Sequence, residues 1–314
     1  MLEVITMGRV SVDLYPEQIG VPLAEVRTFA KSLGGSPTNV AVAAARLGHE
    51  VALITKVGEE GFGPYVRRAL TEFGVDTRWV GSDPDLRTPL AFCEIFPPDH
   101  FPLTFYRAPS APDMRIREDE LDLDAIAGVP LFSATHSGLY EEPTRTATLA
   151  ALRARRRRQH TIFDCDYRPM FWRSVEDARR AAVEAIPLAS VVVGNREEMR
   201  MATGLDDPRA IAAELFRQGV SLAIVKLGPA GVYAATPEES VTVPPVPVEV
   251  VCGLGAGDAF GGALCHGLLL GTPLRTTIEF ANAAGAIVAS RLACADAMPT
   301  PSEVEALLAS RLEA

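Results

Sequence analysis

A glycine-rich segment with a single carboxylate has the composition of an anion-binding turn. Residues 253–262 read GLGAGDAFGG and precede an apolar helical stretch, Ala259 to Leu270. Glycines at a strand-to-helix junction let the backbone approach a ligand closely, and the first amides of a helix are unpaired donors that favour an anion. Asp258 stands in the first predicted turn. It can either stabilise the helix start or accept a proton from a substrate hydroxyl beside a bound phosphate. The spacing alone leaves both roles open.

Two common nucleotide-binding patterns are excluded. A GxGxxG fingerprint would need glycine where Asp258 and Phe260 stand, and the segment lies near the C-terminus instead of after the first strand. The P-loop pattern GxxxxGK[ST] occurs nowhere in the chain. An NAD-binding oxidoreductase and a P-loop enzyme are therefore both disfavoured.

Composition limits the class of protein further. The chain has 314 residues, 48% of them hydrophobic, and a formal net charge of −10. The acidic balance argues against a nucleic-acid partner. The absence of an 18-residue apolar run argues against a membrane span. The opening MLEVITMGRV predicts a strand and not a signal peptide. The five cysteines are widely spaced without a CxxC pair, which predicts neither a disulfide framework nor a zinc site and favours the cytoplasm.

Strand and helix patterns alternate along most of the chain, which predicts βαβ units and a mostly parallel sheet with helices on both faces. The predicted strands are Val4–Gly8, Val51–Val57, Leu131–Ser137, Thr161–Asp166, Ser190–Gly194 and Leu222–Leu227. The predicted helices are Thr38–Leu47, Tyr65–Phe73, Thr144–Arg158, Glu176–Ile186, Arg209–Gln218 and Ala259–Leu270.

Two regions break this alternation. Residues 12–33 and 87–107 contain strand-like runs with turns and no helix between them, and the second has FPPDHFP as a hairpin connection. They predict a small antiparallel sheet that acts as a lid beside the main sheet. The alternative is an extension of the main sheet at its edge.

A basic run, RARRRR at Arg153–Arg158, is the strongest local charge feature. At the end of a predicted helix it is typical of a solvated last turn, where cations oppose the negative end of the helix dipole. A phosphate or nucleic-acid patch is the alternative, and the acidic chain disfavours it.

Four motifs in order resemble those of the ribokinase-like (PfkB-type) carbohydrate kinases. LGGSPTNVA at Leu33–Ala41 is similar to the N-terminal signature of that family, and NREE at Asn195–Glu198 to its N-x-x-E motif. KLGPAG at Lys226–Gly231 is similar to the strand and turn on the nucleotide side, and GLGAGDAFGG to the C-terminal signature DTxGAGD. The resemblance implies an α/β fold: a three-layer α/β/α sandwich with a mostly parallel central sheet, a small β-strand lid and one kinase domain over residues 1–314.

Longer segments resemble one branch of that family. GRVSVDLYPEQIGVPL, DYRPMFW and VEVVCGLGAGDAFGGALCHGLL are similar to the enzymes of myo-inositol catabolism that use ATP to phosphorylate the 6-hydroxyl of 5-dehydro-2-deoxy-D-gluconate. The alternatives are a 2-keto-3-deoxygluconate kinase, another sugar or nucleoside kinase of the same fold, and an inert sugar or nucleotide sensor. The sensor would have no need of Asp258.

The resemblance also implies roles for single residues. Asp258 would be the base, and the amides of Gly255, Ala256 and Gly257 would form an anion hole. Two arginines suit the carboxylate of a sugar acid because a guanidinium can bind it through two hydrogen bonds. The implied sugar contacts are Asp13, Gly34, Gly35, Asn39, Tyr106, Arg107, Asp166 and Arg168. The implied ATP contacts are Asn195, Glu198, Lys226, Gly228, Gly231, Gly257 and Asn282, with Glu198 holding Mg²⁺ through water.

Several of these residues also have structural explanations. Asn195 and Glu198 fit a capping box, Asp13 fits a turn, Tyr106 fits core packing, and each arginine could lie on the surface. The family's lids often pair, so a homodimer through the lid is expected.

The chain departs from the family pattern at two places. Cys252-Gly253 stands where Asp-Thr is usual, which argues against activation by a monovalent cation. Cys252 near a helix start could have a lowered thiol pKa or be a small buried residue. Asp166 stands where related acid-sugar kinases often carry Asn, which makes the expected pocket more negative.

Overall fold

The computed structural model describes residues 1–158 and 160–311 and contains two separate sheets. The strands are β1 (Val4–Met7), β2 (Ser11–Pro16), β3 (Phe29–Gly34), β4 (Val51–Gly58), β5 (Val75–Asp76), β6 (Val80–Asp83), β7 (Leu90–Cys93), β8 (Leu103–Tyr106), β9 (Leu131–Thr135), β10 (Thr161–Asp164), β11 (Val191–Asn195), β12 (Leu222–Lys226), β13 (Val232–Ala235) and β14 (Ser240–Val243).

Ten helices surround them in the described part of the chain: α1 (Ser36–Arg46), α2 (Phe62–Glu72), α3 (Leu123–Gly128), α4 (Thr144–Ala154), α5 (Val175–Ala185), α6 (Arg196–Thr203), α7 (Pro208–Arg217), α8 (Ala256–Leu270), α9 (Leu274–Ala289) and α10 (Pro301–Ser310). All predicted helices are present, with bounds that differ by a few residues at each end.

The large sheet forms the middle layer of an α/β/α sandwich. Its order is β14-β13-β12-β11-β10-β9-β1-β4-β5, with β6 also paired to β4. Within this order, every neighbouring pair from β12 to β4 is parallel. Alternate residues of the strands face opposite sides. Val4 therefore belongs to the core cluster that includes residues of α1, α2, α8, α9 and α10, whereas Ile5 belongs to the cluster that includes residues of α3 to α7. The predicted fold class is confirmed.

The small sheet has the order β3-β2-β7-β8. The pairs β2–β3 and β7–β8 are antiparallel as predicted, but the central pair β2–β7 is parallel. Such a pair requires a long crossover, and α1, β4 and α2 lie between these two strands in the chain. The predicted hairpin connection is present, since Phe96 and His100 exchange backbone hydrogen bonds of 2.9 and 3.1 Å. Whether this sheet acts as a lid stays a prediction.

The edge of the large sheet was missed by the sequence analysis. Strands β13 and β14 continue it antiparallel beyond β12. Their runs of four residues are short, and the Pro-rich stretch that follows gave no strand pattern. Helix α9 begins at Leu274, because Gly271 ends α8 and Pro273 precedes the first turn of α9.

The basic run is only partly a solvated helix end. Arg153, Arg156, Arg157 and Arg158 are exposed, but the side chain of Arg155 is fully buried. Its guanidinium donates to the carbonyls of Ile126 and Val129, just where α3 ends. The expectation was wrong for Arg155 because the carbonyls at the end of α3 need donors, and helical periodicity does not reveal a partner from another element.

Across residues 1–158 and 160–311, no helix combines the length and apolar character that a bilayer crossing requires.

Candidate active site

The candidate site lies where the small sheet covers the carboxyl ends of the central strands. Its pocket is lined from both layers, by Asp13 and Phe105 of the small sheet and by Asn39, Arg168 and Asp258 of the main body. Ligand sites of open α/β sheets form at this end of the strands. The structure therefore brings together residues that are far apart in sequence.

Asp258 is the third residue of α8 and points into this pocket. Its Oδ2 accepts a hydrogen bond of 2.7 Å from Asn39 Nδ2 of α1. Burial raises the carboxyl pKa to about 6, although hydrogen bonds from Asn39 and Ser36 act in the opposite direction. A carboxylate with such a pKa is ionised near neutrality and can still accept a proton.

The first turn of α8 is open to an anion. Gly255 precedes the helix with φ of +81°, and no described side chain caps the turn. The amides of Ala256, Gly257 and Asp258 therefore point out of the helix end without intrahelical partners. A Cβ on Gly257 would lie 3.3 Å from Lys226 Nζ, so an ammonium group stands beside these amides.

Asp13 on β2 supplies a second carboxylate. Burial raises its pKa to about 6, while the Ser11 hydroxyl, which donates over 2.6 Å, and Arg9 act to lower it. A Cβ on Gly34 would lie only 1.9 Å from Asp13 Oδ1, so glycine is needed there to make room for the carboxylate. Gly35 has φ of +94° and would clash with the Arg9 carbonyl if it carried a side chain.

Asp166 lies between two arginines. Its Oδ1 is 2.9 Å from Arg168 Nη2, and its Oδ2 is 3.1 Å from Arg9 Nη2. Burial would raise the Asp166 pKa, but both arginines and a hydrogen bond from Ser137 lower it to about 2. Arg9 was missed by the sequence analysis, because only its packing against Asp166 reveals it.

Four of the eight predicted sugar contacts lie outside the lining of this pocket: Gly34, Asp166, Tyr106 and Arg107. Arg107 pairs with Asp113 at 2.6 Å and donates to the Tyr140 hydroxyl at 3.0 Å. Its Nη1 is buried without a partner in the described part of the chain. Tyr106 is 62% exposed and contacts Phe92, whereas the next residue back, Phe105, faces the pocket. Strand alternation places Tyr106 and Phe105 on opposite faces of the small sheet.

Asn195 and Glu198 form the capping box of α6. Glu198 Oε2 accepts from the Asn195 amide at 2.6 Å, and Asn195 Oδ1 accepts from the Glu198 amide at 2.9 Å. The other Glu198 oxygen, Oε1, lies 3.6 Å from Arg168 Nη1. The structural explanation for this pair is thus present, and one carboxylate oxygen remains directed at the site.

A buried charge cluster connects Glu198 to the nucleotide-side strand. Burial raises the pKa of Glu198 to about 7, against the attraction of Lys226. Burial also raises the pKa of Asp164, which ends β10 and was missed by the sequence analysis. Burial acts to lower the Lys226 pKa, but the charges of Asp164 and Glu198 raise it overall, so the ammonium stays charged.

A second pocket lies on the other side of the first turn of α8. Lys226, Gly228, Gly231, Gly257 and Asn282 all line it, as do apolar side chains such as Phe260. These are predicted ATP contacts. The Asn282 amide donates to the Pro244 carbonyl at 2.7 Å, so this group already has a partner within the protein.

Three cysteines cluster beside the first turn of α8. Cys252 is fully buried, and burial raises its thiol pKa, so the idea of a reactive thiolate is wrong. The Tyr15 hydroxyl lies 2.7 Å from Cys294 Sγ. Ser32 of β3 donates to Asp296 in the same segment. The small sheet is thus tied to residues 294–296, which pack against Gly255.

Comparison with known proteins places these features in one family. The model of the pfkB family carbohydrate kinases matches residues 1–301. A 5-dehydro-2-deoxygluconokinase of Geobacillus kaustophilus is 33% identical and covers 97% of this chain and 92% of its own length. The crystal structure of a PfkB protein from Polaromonas sp. JS666 has a TM-score of 0.86 at 27% identity, covering 98% of this chain and 100% of that one. A Xylella fastidiosa fructokinase with bound ATP has a TM-score of 0.86 at 26% identity, covering 99% and 100%.

Gly255→Ala should destabilise the protein more than Gly271→Ala. Both glycines have positive φ at an end of α8, +81° and +63°, so each alanine costs about 1–2 kcal/mol of backbone strain. Only at position 255 would the new Cβ meet an obstacle, Cys294 Sγ at 2.7 Å, while nothing lies within 4 Å at position 271. Urea unfolding should show a further loss of about 1 kcal/mol or more for Gly255→Ala. Equal losses would contradict the close packing of the anion turn.

Proposed function

We propose that this chain, which belongs to the pfkB family of carbohydrate kinases, transfers the γ-phosphate of ATP to the 6-hydroxyl of 5-dehydro-2-deoxy-D-gluconate. The observation that carries the proposal is the first turn of α8, which lies between two pockets. Asp258 faces the pocket with Asp13 and Asn39, whereas Gly257 faces the groove with Lys226. An acceptor and a phosphate donor can therefore meet at one helix end.

Asp258 is proposed as the base. Its ionised carboxylate would take the proton of the sugar hydroxyl as the oxygen attacks the γ-phosphorus and the bond to ADP breaks. Asn39 donates to Oδ2 and so fixes the carboxylate beside the pocket. A positioned base of this type contributes roughly 10²–10⁴ in rate.

The amides that begin α8 are proposed as the anion hole, together with the Lys226 ammonium. Phosphoryl transfer depends mostly on positioning and on stabilising charge on the transferred oxygens. The amides of residues 255–257 are held in place by the helix and require no rearrangement during the reaction. Lys226 lies beside Gly257 and keeps its charge because Asp164 and Glu198 surround it.

The residues present fit Mg²⁺ on the nucleotide side. Glu198 and Asp164 are buried carboxylates with raised pKa values, which a cation would stabilise. Mg²⁺ keeps several waters and is held by one or two carboxylates plus phosphates. When bound, it would neutralise charge on the ATP phosphates, with Glu198 reaching it through water.

The sugar pocket is proposed to bind a sugar acid through its carboxylate. Arg168 is proposed to bind the substrate carboxylate while Asp166 holds its guanidinium in place. Asp13, beside Gly34 and Gly35, is proposed to accept hydrogen bonds from sugar hydroxyls. Arg107 stays a candidate through its unpartnered Nη1, although it lines a different pocket in this structure.

The small sheet is proposed to act as a lid and as the surface of a homodimer. Its outer face carries Phe29, Phe92 and Tyr106 in edge-to-face contact, with Tyr106 mostly exposed. Light scattering measures the mass in solution and so tests the dimer.

The substrate is tested by ADP release with Mg-ATP and a panel of acceptors. The panel contains 5-dehydro-2-deoxygluconate, 2-keto-3-deoxygluconate, fructose, ribose and adenosine. We expect turnover with the first alone. Turnover only with another acceptor would keep the kinase and reject the substrate, and binding of ATP without turnover on any acceptor would favour a sensor.

Asp258→Asn should lower kcat at least about a hundredfold, because the amide cannot accept the proton. The variant should be no less stable than the wild type at pH 8. The raised pKa means that the ionised Asp258 carboxylate destabilises the folded state, and this effect grows as pH rises through about 6. Replacing the carboxylate by an amide removes this destabilisation. Asp124→Asn, in the exposed first turn of α3, is the matched control and should change neither property. Turnover of Asp258→Asn like that of the wild type would reject the base.

The pH profile of kcat/KM should rise with pH through about 6. The base must be ionised to act, and burial places its pKa at about 6. Asp13, with a pKa of about 6, can steepen the rise, and Glu198, with a pKa of about 7, can extend it. Asp13→Asn should therefore keep a rise that is less steep. A profile for the wild type that is flat across this range would contradict the assignment.

A further inference from the structure

We infer that Arg9 is a residue that determines specificity, its free Nη1 binding the carboxylate of the acceptor beside Arg168. The inference rests on the proposed function and extends it, because Arg9 lies in the segment GRVSVDLYPEQIGVPL but is not among the implied contacts. It assigns the preference for an acid over a neutral sugar to the loop between β1 and β2.

Arg9 has the location that such a role requires. It follows β1 at the carboxyl end of the central sheet and lines the same pocket as Asp13, Asn39 and Asp258. The residue is only 3% exposed, so its charge is largely removed from bulk water. A buried cation is costly unless it is paired and hydrogen-bonded.

Two of the three guanidinium nitrogens of Arg9 are already committed. Nε donates to Ser137 Oγ at 2.8 Å, and Nη2 donates to Asp166 Oδ2 at 3.1 Å. The guanidinium also lies over the ring of Phe171, 5.3 Å from its centre. These contacts fix the plane of the group before any ligand binds, which reduces the ordering cost of binding.

The third nitrogen, Nη1, has no hydrogen-bond partner among residues 1–158 and 160–311. This nitrogen is not fully buried, so a ligand can reach it. The N–H groups of Nη1 are therefore available to donate hydrogen bonds to an oxygen of a ligand in the pocket.

The charges divide the pocket into two sides. On one side, Arg9 and Arg168 share the carboxylate of Asp166, and Arg168 also lies 3.6 Å from Glu198 Oε1. On the other side, Asp13 and Asp258 offer only acceptors. A molecule with a carboxylate at one end and hydroxyls at the other matches both sides, whereas a neutral sugar offers the Arg9 donor no charged acceptor.

A purely structural role is the competing explanation, since Arg9 also ties Asp166 to Ser137. The two explanations differ in what they predict for ligands of different charge. Loss of a structural tie weakens every ligand of the pocket, but loss of a carboxylate donor weakens acids alone.

The test compares Arg9→Met with the wild type for the KM of the acid substrate, the KM of ATP, and the inhibition constants of gluconate and glucitol. The last two molecules have the same carbon chain and differ in a carboxylate against a hydroxymethyl group. We expect the acid KM and the gluconate constant to rise about tenfold to a hundredfold, as for a lost hydrogen bond to a charged group. The glucitol constant and the KM of ATP should stay within about twofold.

Two further variants complete the design. Arg68→Met, on the exposed face of α2, is the matched control and should change nothing. If Arg9→Met does not fold, Arg9→Lys replaces it. A lysine keeps the charge but cannot reach Ser137, Asp166 and a ligand at once, so the acid KM should rise about threefold to tenfold.

The outcomes separate this inference from the proposed function. Equal weakening of gluconate and glucitol, or an unchanged acid KM in the folded variant, would overturn the role of Arg9 alone. Wild-type turnover with 2-keto-3-deoxygluconate instead of 5-dehydro-2-deoxygluconate would overturn the proposed substrate, and the same comparison would then be made with that acid. Wild-type turnover with neutral sugars only would overturn both.

Discussion

The close contact between α1 and α8 is the constraint on which the site depends. A Cβ on Gly262 would lie 2.3 Å from Ala43 Cβ, and a Cβ on Gly261 would lie 3.0 Å from Val40. Because these glycines let the helices approach, Asn39 on α1 can reach Asp258 at 2.7 Å. The two glycine-containing motifs therefore act as one unit: the first supplies the amide that orients the carboxylate, and the second supplies the carboxylate and the open amides beside it.

Most of the fold could be predicted because its signals are local. Alternating apolar runs and helical patterns located the central strands, and turn-rich regions located the small sheet. The direction of the β2–β7 pair could not be predicted, since pairing between distant strands leaves no pattern in either strand. The buried Arg155 was missed for a related reason, because its partners at the end of α3 lie on another element.

In the candidate site too, residues with local sequence signals could be predicted, and residues placed by distant contacts could not. Asp258 and Asn39, from two different motifs, are in direct contact, and Glu198 of a third motif lies 3.6 Å from Arg168. Tyr106 and Arg107 were implied as sugar contacts, but both line a different pocket, and Phe105 lines the site instead. Arg9 lies in a quoted segment but had no implied role, and Asp164 lies in none of the motifs. Only the convergence of strand ends brings them to Asp166 and Glu198. Charge partners of this kind are fixed by tertiary packing, which a single sequence does not display.

The bonds from Tyr15 and Ser32 to residues 294–296 have a thermodynamic consequence. Cys294 of this segment packs against Gly255, so the strand that carries Asp13 and the turn proposed to receive phosphate share one wall. A ligand that shifts the small sheet would then act on the turn as well. Linkage is reciprocal: the factor by which a bound sugar changes nucleotide affinity equals the factor by which nucleotide changes sugar affinity. Through this shared wall, binding in one pocket would change the affinity of the other.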